Sequence, residues 1–455
     1  MLQNTVETVV KKATTYLTWQ QITWLLDPVK RKVAKVPVLK VMPKIHKSPI
    51  SARPIVPTFD TLLANASAWV DYRLKPLLIR FPWILPDSKT FCRQIVDVKM
   101  PIGKEIWLVS GDVVAMYPNI PIEDGIRKIA SMLDVSPMDF KTLEEAAALP
   151  INSLNELTVL LMRMVLQFNY VSFAGKTFRQ VVGTAMGTSL APDYANLFLA
   201  GYEGPALKEF QKYLLYYGCF IDDTFAIIEG NLETVLAFQK RFGELHPNMK
   251  MEWTQSWYSL PFLDVSVSLE TASGVLLRST KVAVVTRVFL KALNAYLYIP
   301  WKSCHSDTSK RSWVKGELIR YVRLSSKEED FSKMVRLFSW RLRARGYPGK
   351  WLRSVFSGVS YAVERPKALT PRTVFETEGE GRLYVLKLIH NPLWESVDFG
   401  PIWRTLRDAW EETGLGRPGD RFLASFQKPE TLNDRLNKVN RETIIAYQAD
   451  IALTV

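Results

Sequence analysis

Residues 219–228 read CFIDDTFAII, with two carboxylates, Asp222 and Asp223, set between short apolar runs. Tyr213–Phe220 and Thr224–Ile228 are rich in β-formers and separated by a very short polar break, the pattern of a hairpin. Adjacent carboxylates between hydrophobic strands repel each other unless water or a cation intervenes. An isolated Asp-Asp is most often a solvated turn. A second stretch changes that balance. Residues 106–112, IWLVSGD, also end an apolar run on a carboxylate, Asp112. If the two strands are neighbours in one sheet, Asp112 and Asp222 converge at its edge although 110 residues separate them. Such a cluster suits two Mg²⁺ ions, which take oxygen ligands and keep water for substrate phosphates. A metal pair activates a 3′-hydroxyl and stabilises the leaving oxygen of an in-line phosphoryl transfer.

Between these carboxylates lies GTAMGTSLAP, residues 183–192. Gly183 and Gly187 permit backbone approach that a side chain would block, and Pro192 restricts the backbone at the end of the stretch. Alone it is a glycine turn before a helix; its position between Asp112 and Asp222 gives it meaning.

Composition narrows the partners. The chain has 455 residues, 47% apolar and 23% charged, which excludes a mostly disordered protein and allows roughly three domain-sized units. Its 59 Lys and Arg against 45 Asp and Glu leave +14, which points to nucleic acid or an acidic membrane surface. Residues 300–368 hold 16 of those basic residues and only 6 acidic ones, so most of the excess is local. No run reaches the ~18 apolar residues of a membrane span, and MLQNTVETVVKK lacks a signal-peptide pattern. Cys92, Cys219 and Cys304 are scattered, as are the four histidines. Neither a disulfide framework nor a zinc cluster is expected, and a reducing, intracellular setting is.

Periodicity supplies the frame. Val6, Val9, Val10, Ala13 and Leu17 recur at helical spacing, with Asn4 and Glu7 placed like a capping pair. Residues 29–57 are basic and proline-punctuated, which suits short strands and loops. Helices are expected around 62–78, 122–133 and 152–173, and strands over 260–269 and 275–288. The chain turns helical and basic from about 310 to 363. A linker, ALTPRTVFETEGEGR, precedes a small C-terminal unit whose helix opens at Pro401 and carries Ile402, Leu406, Ala409 and Trp410 on one face.

The ordered segments together resemble a reverse transcriptase, and more narrowly the Penelope-like retroelement family in a form without its GIY-YIG endonuclease. PKIHK (43–47) and RPIVP (53–57) are similar to fingers motifs. DVVAMYPNIP (112–121), GTAMGTSLAPDYANLF (183–198) and FIDD (220–223) are similar to three palm motifs, and LPFLDV (260–265) to a primer-grip hairpin. SCHS, GELIRYVR (316–323) and RGYP (345–348) resemble the thumb. Cys219 departs from the arginine many relatives carry there. The strong match spans 43–361.

The resemblance implies an α+β right-hand polymerase. Its parts would be an N-terminal helical segment over 1–30, then fingers and the start of the palm over 31–110. The palm with its antiparallel catalytic sheet would occupy 111–295, a basic helical thumb 296–366 and a small unit 367–455. It implies RNA-directed DNA polymerase activity on an RNA template, a DNA primer and deoxynucleoside triphosphates, with two Mg²⁺ ions (Mn²⁺ substituting), in the nucleus and away from membranes. Asp112 and Asp222, with Val113, would hold the metals, and Asp223 would support them. Lys44, Lys47 and Arg53 would grip the triphosphate, aided by the amides of Val113 and Val114. Gly187 would line the nucleotide site, and Tyr117 would exclude the 2′-hydroxyl. Lys250 is a weaker candidate proton donor to pyrophosphate. Phe262, Leu263, Arg341, Arg343 and Arg345 would contact nucleic acid. Two alternatives stand beside this reading: an RNA-directed RNA polymerase with the same palm, and a non-catalytic nucleic-acid-binding remnant.

Overall fold

The computed structural model describes residues 1–31, 35–44, 51–271, 282–292, 294–303, 305–370, 383–389, 400–413 and 421–427. They fall into two compact units. The first is Met1–Ala295 with Arg323–Asp330, and the second Tyr296–Val322 with the residues from Phe331 onward.

In the first unit, β1 (Lys40–Lys44) and β2 (Ser51–Ile55) form an antiparallel hairpin. A four-stranded antiparallel sheet is built from β3 (Ile106–Val113), β6 (Leu214–Phe220), β7 (Asp223–Glu229) and β8 (Met251–Ser256), in the order β6-β7-β3-β8. A second hairpin, β4 (Tyr170–Phe173) with β5 (Lys176–Arg179), interrupts the chain before Gly183. Strands β9 (Ser259–Phe262), β10 (Val265–Thr271) and β11 (Val282–Val288) make a separate three-stranded sheet.

Strand alternation explains how the four-stranded sheet is covered. Val109, Ala226 and Ile228 face one side, where Ala206 of the Ala191–Phe210 helix packs with Val235, Phe238 and Phe242 of the Leu232–Gly243 helix. Each such side chain contributes about 1.5–3 kcal/mol on burial. The opposite side carries Leu108, Ser110 and Asp112. At its inner end Phe225 meets Phe91 and Phe262, with ring centroids 5.4 and 5.3 Å away.

The larger core lies among the helices Ala64–Leu78, Ile122–Met132, Leu154–Gln167 and Ala191–Phe210. The Leu154–Gln167 helix is buried on every side from Leu157 to Leu166. Its buried cation, Arg163, is neutralised by Glu123 at 2.8 Å and by Asp139, and donates to the Pro137 carbonyl. Removing both acids would leave a buried cation uncompensated. The apolar pattern over 152–173 divides here: the helix ends at Gln167 and β4 begins at Tyr170.

The N-terminal helix runs Leu2–Lys12 with Met1 as its cap residue, so Asn4 and Glu7 lie inside it. Glu7 instead pairs with Lys11 at 2.7 Å. The capping box belongs to the next helix, through Thr18 and Gln21. The structure describes β11 from Val282; residues 275–281 of the expected strand lie outside the described residues.

Helices Asp307–Leu324, Glu328–Ala344, Gly349–Phe356 and Tyr361–Leu369 succeed one another, all in the second unit except residues 323–324 and 328–330. Phe338 is buried beside Tyr298, Tyr321 and Trp313. Further on, β12 (Leu383–Ile389) and β13 (Arg421–Gln427) pair in parallel, with the Gly400–Glu412 helix between them in sequence. Trp410 of that helix meets the Tyr384 ring at 4.7 Å, whereas Ile402 and Leu406 stay exposed. Most of the expected linker, residues 371–382, lies outside the described residues.

Candidate active site

The register of the four-stranded sheet sets Asp112 directly opposite Asp223 on β7 and opposite Glu252 on β8. The Val113 amide donates to the Asp222 carbonyl at 2.9 Å. Asp112 and Asp223 therefore form the non-hydrogen-bonded type of pair, whose Cα atoms typically approach to about 4.5 Å. Side chains directly opposite share a face, and like charges in that position destabilise a sheet. A bridging cation relieves that repulsion.

Asp222 sits in the two-residue turn joining β6 to β7. Its neighbour Ile221 is left-handed, at φ +57°. A β-branched residue is strained there, at an order of 1–3 kcal/mol. The surroundings hold it in place. Asn196 Oδ1 accepts from the Ile221 amide at 3.1 Å, and the Ile221 side chain packs against the helical core. Asn196 lies on the helix that succeeds the glycine loop. Nothing about a lone asparagine in DYANLF distinguishes it in the sequence; only the fold brings it to the turn.

The glycine loop joins three segments. Gly183 adopts φ +74°, and a Cβ there would come within 2.4 Å of the Tyr117 carbonyl oxygen. The Thr184 amide donates to that same oxygen at 2.8 Å. Gly187, at φ +120°, is pressed as closely against the Val56 carbonyl. The Val56 amide donates to the Met186 carbonyl at 2.8 Å, and Thr58 Oγ1 to the Gly187 carbonyl at 2.9 Å. Residues 53–58, 112–117 and 183–187 thus meet at one place.

From that anchor the β1–β2 hairpin displays its basic residues. Met42 pairs with Arg53 and Lys44 with Ser51, so Lys44 and Arg53 share one face. Arg53 is exposed and Lys44 half-buried; Lys47 lies outside the described residues. Tyr117 is half-buried between the glycine loop and the helical core. Burial, with the charges of Asp222 and Asp193, pushes its hydroxyl up to about 12, so it stays neutral.

Several expectations need correction. The amides of Val113 and Val114 do not face a phosphate, because they donate to the carbonyls of Asp222 and Lys250. Phe262 is 2% exposed within the aromatic cluster, so it packs the hairpin and does not touch a primer. Leu263 is half-buried in the adjoining turn at φ +55°. Arg345 donates through Nε to the Tyr298 carbonyl at 2.8 Å, and the Arg341 guanidinium lies 3.6 Å from the Tyr296 ring centre. Both are therefore engaged in packing their own unit, while Arg343 is exposed.

Cys219 also acquires a context. Its thiol and the groups Trp83 Nε1 and Tyr217 Oη surround Glu203, the latter two at 2.7 Å. Glu203 is fully buried. Burial raises its carboxyl above the usual range, and the three donors offset part of that.

Among the described residues no group of three or more His, Cys, Asp or Glu side chains is placed to hold a metal ion. The carboxylate pair at the sheet edge nevertheless suits Mg²⁺, which takes one or two carboxylates and fills its remaining positions with water and phosphate.

Among solved structures, the chain is similar to the telomerase from Candida albicans solved with a TWJ fragment of telomeric RNA. The TM-score is 0.51 at 10% identity, over 77% of this chain and 63% of that one. The chain thus spans under two thirds of that telomerase's length. The RNA-dependent RNA polymerase of a human picorbirnavirus, in an insertion-loop deletion mutant, gives 0.45 at 11% identity, over 73% of this chain and 64% of that one. No curated protein matches the chain. An animal helix-turn-helix domain model matches residues 297–357, the first three helices of the second unit with the segment before them. Sheet, carboxylate hairpin and telomerase likeness agree on one architecture: the fold is that of a right-hand nucleic-acid polymerase, α+β, with an antiparallel palm sheet.

Proposed function

We propose that this protein is an RNA-directed DNA polymerase of the Penelope-like type, extending a primer 3′ end on an RNA template with deoxynucleoside triphosphates. One observation carries the reading. The glycine loop bonds at once to residues 56–58 and to the Tyr117 backbone, in the same palm segment whose Val113 amide donates to the Asp222 carbonyl. Motifs that resemble reverse transcriptase segments in their order along the chain also meet in space.

Asp112 and Asp222, with Val113, would hold two Mg²⁺ ions, and Asp223, on the same face as Asp112, would support them. When bound, the ions supply the Lewis acidity that lowers the barrier to in-line phosphoryl transfer. The chain's own residues set the substrate. Arg53 and Lys44, on one face of β1–β2, suit the triphosphate, Arg by forked hydrogen bonds. Tyr117, neutral and wedged by the glycine loop, suits a wall against the 2′ position. The helix-turn-helix likeness of residues 297–357 supports a nucleic-acid contact through the basic helices, with Arg343 the exposed member of its arginine trio.

The test is extension of a DNA primer on an RNA template by the full chain, with deoxy and ribo substrates in parallel. Deoxynucleotide incorporation is expected. Incorporation of ribonucleotides alone would replace the proposal with an RNA polymerase, and absence of both would leave a nucleic-acid-binding remnant.

A further inference from the structure

The β4–β5 hairpin has no part in the chemistry above, yet its surface is unusual. Its turn is Ala174 at φ +49° and Gly175 at φ +75°. The register sets Val171 opposite Phe178 and Phe173 opposite Lys176, so these four side chains share one face. Phe173 is 50% exposed and Phe178 49%. The two rings occupy diagonal positions, typically ~7–8 Å apart on a sheet face. That spacing is about twice the ~3.4 Å rise of stacked bases, room for one base between the rings.

One cation is placed to match. Lys176, on the face of the rings, is exposed and makes no ion pair among the described residues, whereas Arg179, opposite Tyr170, lies on the other face. The ribbon is also held in place at its base. The Ser172 amide donates to the Pro37 carbonyl at 2.8 Å, and the Leu39 amide to the Ser172 carbonyl at 2.9 Å. Asn169 and Gln180 close the other side, amide to carbonyl and side chain to side chain, each at 2.9 Å. Beside it, a cleft of about 580 Å³ is lined by Arg179, Val182 and Pro121. Three residues after Gln180 the chain enters the glycine loop at Gly183.

We propose that the β4–β5 hairpin is a stacking platform for single-stranded RNA, with Phe173 and Phe178 taking an unpaired base and Lys176, on the same face, a flanking phosphate. An apolar protein surface would match the rings and leave the Lys176 cation uncompensated; a single strand matches both rings and charge. That the strand is the template rests on the polymerase reading.

The experiment measures binding of the full chain to a fluorescent oligouridylate and to a blunt RNA duplex. F173A/F178A is expected to weaken single-strand affinity about tenfold and leave the duplex unchanged. F173W/F178W, which keeps the stacking surface, is expected to bind like the parent. K176Q should flatten the log–log salt slope by about 0.7. Unchanged affinity in F173A/F178A, equal loss on the duplex, or the same loss in F173W/F178W would overturn the platform. Primer extension separates the two ideas. If the parent extends no primer yet single-strand binding depends on the rings, the polymerase reading falls and the platform stands. Extension with ring-independent binding gives the reverse.

Discussion

Tyr117 stands five residues after Asp112, and the structure turns that spacing into a position. Its backbone is clamped by Gly183 and Thr184, and its hydroxyl is kept neutral by burial and by Asp222 and Asp193. Under the proposed function, a ring so held would reject a 2′-hydroxyl by steric conflict, and discrimination by clash needs rigidity. Tyr117→Ala should admit ribonucleotides while keeping much of the deoxynucleotide activity; single-nucleotide incorporation with matched substrates reads the ratio. An unchanged ratio would make Tyr117 a packing residue. Glu203 gives a second test at this scale. Its folded carboxyl binds a proton more tightly than the ordinary value of 4.5, so it contributes stability below that pH. That contribution is lost as pH rises through the raised folded value. Glu203→Gln keeps an acceptor for Trp83 and an amide that Tyr217 can accept from, and it removes the titration. The variant's melting temperature should gain on the parent's as pH rises above the ordinary value of 4.5. Parallel curves would show that the carboxyl is not perturbed. At the residue scale the sequence displayed the carboxylates and the tyrosine, because each closes a recognisable run. Glu203 and Asn196 stayed hidden, since their partners come from distant segments.

Among the elements, the hairpin around Asp222 depends on another helix for its shape. Asn196→Ala removes the acceptor from the strained Ile221 amide, and a lost hydrogen bond of this kind costs about 1–3 kcal/mol when the donor is left buried. The measurable outcome is a lower melting temperature with a larger fractional loss of turnover, because the turn positions Asp222. Asn196→Asp, which retains the acceptor, should restore most of the stability. Equal stability in the alanine variant would mean that the turn holds itself. Strands with clear alternation, β3, β6 and β7, were legible in advance within a residue or two. The β4–β5 hairpin was not, because its exposed phenylalanines continue the apolar pattern of the preceding helix. Phe262 misled for the related reason that a motif resemblance names a position and does not say whether it is buried. The amides of Val113 and Val114 suit phosphate in the sequence alone; the sheet register shows them bonded to neighbouring strands.

For the whole molecule, charge is the organising quantity. The excess of +14 lies mostly in residues 300–368, and the arginines there divide by environment. Arg343→Gln should reduce the salt slope of nucleic-acid binding by about one, as loss of one phosphate contact does. Arg345→Gln should act chiefly on stability, since its Nε bonds the Tyr298 carbonyl. Equal slopes in both variants would place Arg343 outside the footprint. Above charge stands the proposal that Asp112 and Asp222 serve one metal-holding site for templated synthesis. Its most direct measurement is primer extension on an RNA template by Asp112→Asn and Asp222→Asn, with primer–template affinity measured in parallel. Each variant should lose extension and keep affinity near the parent's, because these carboxylates serve the transition state and do not grip the backbone. Extension near the parental level in either variant would contradict the two-metal assignment.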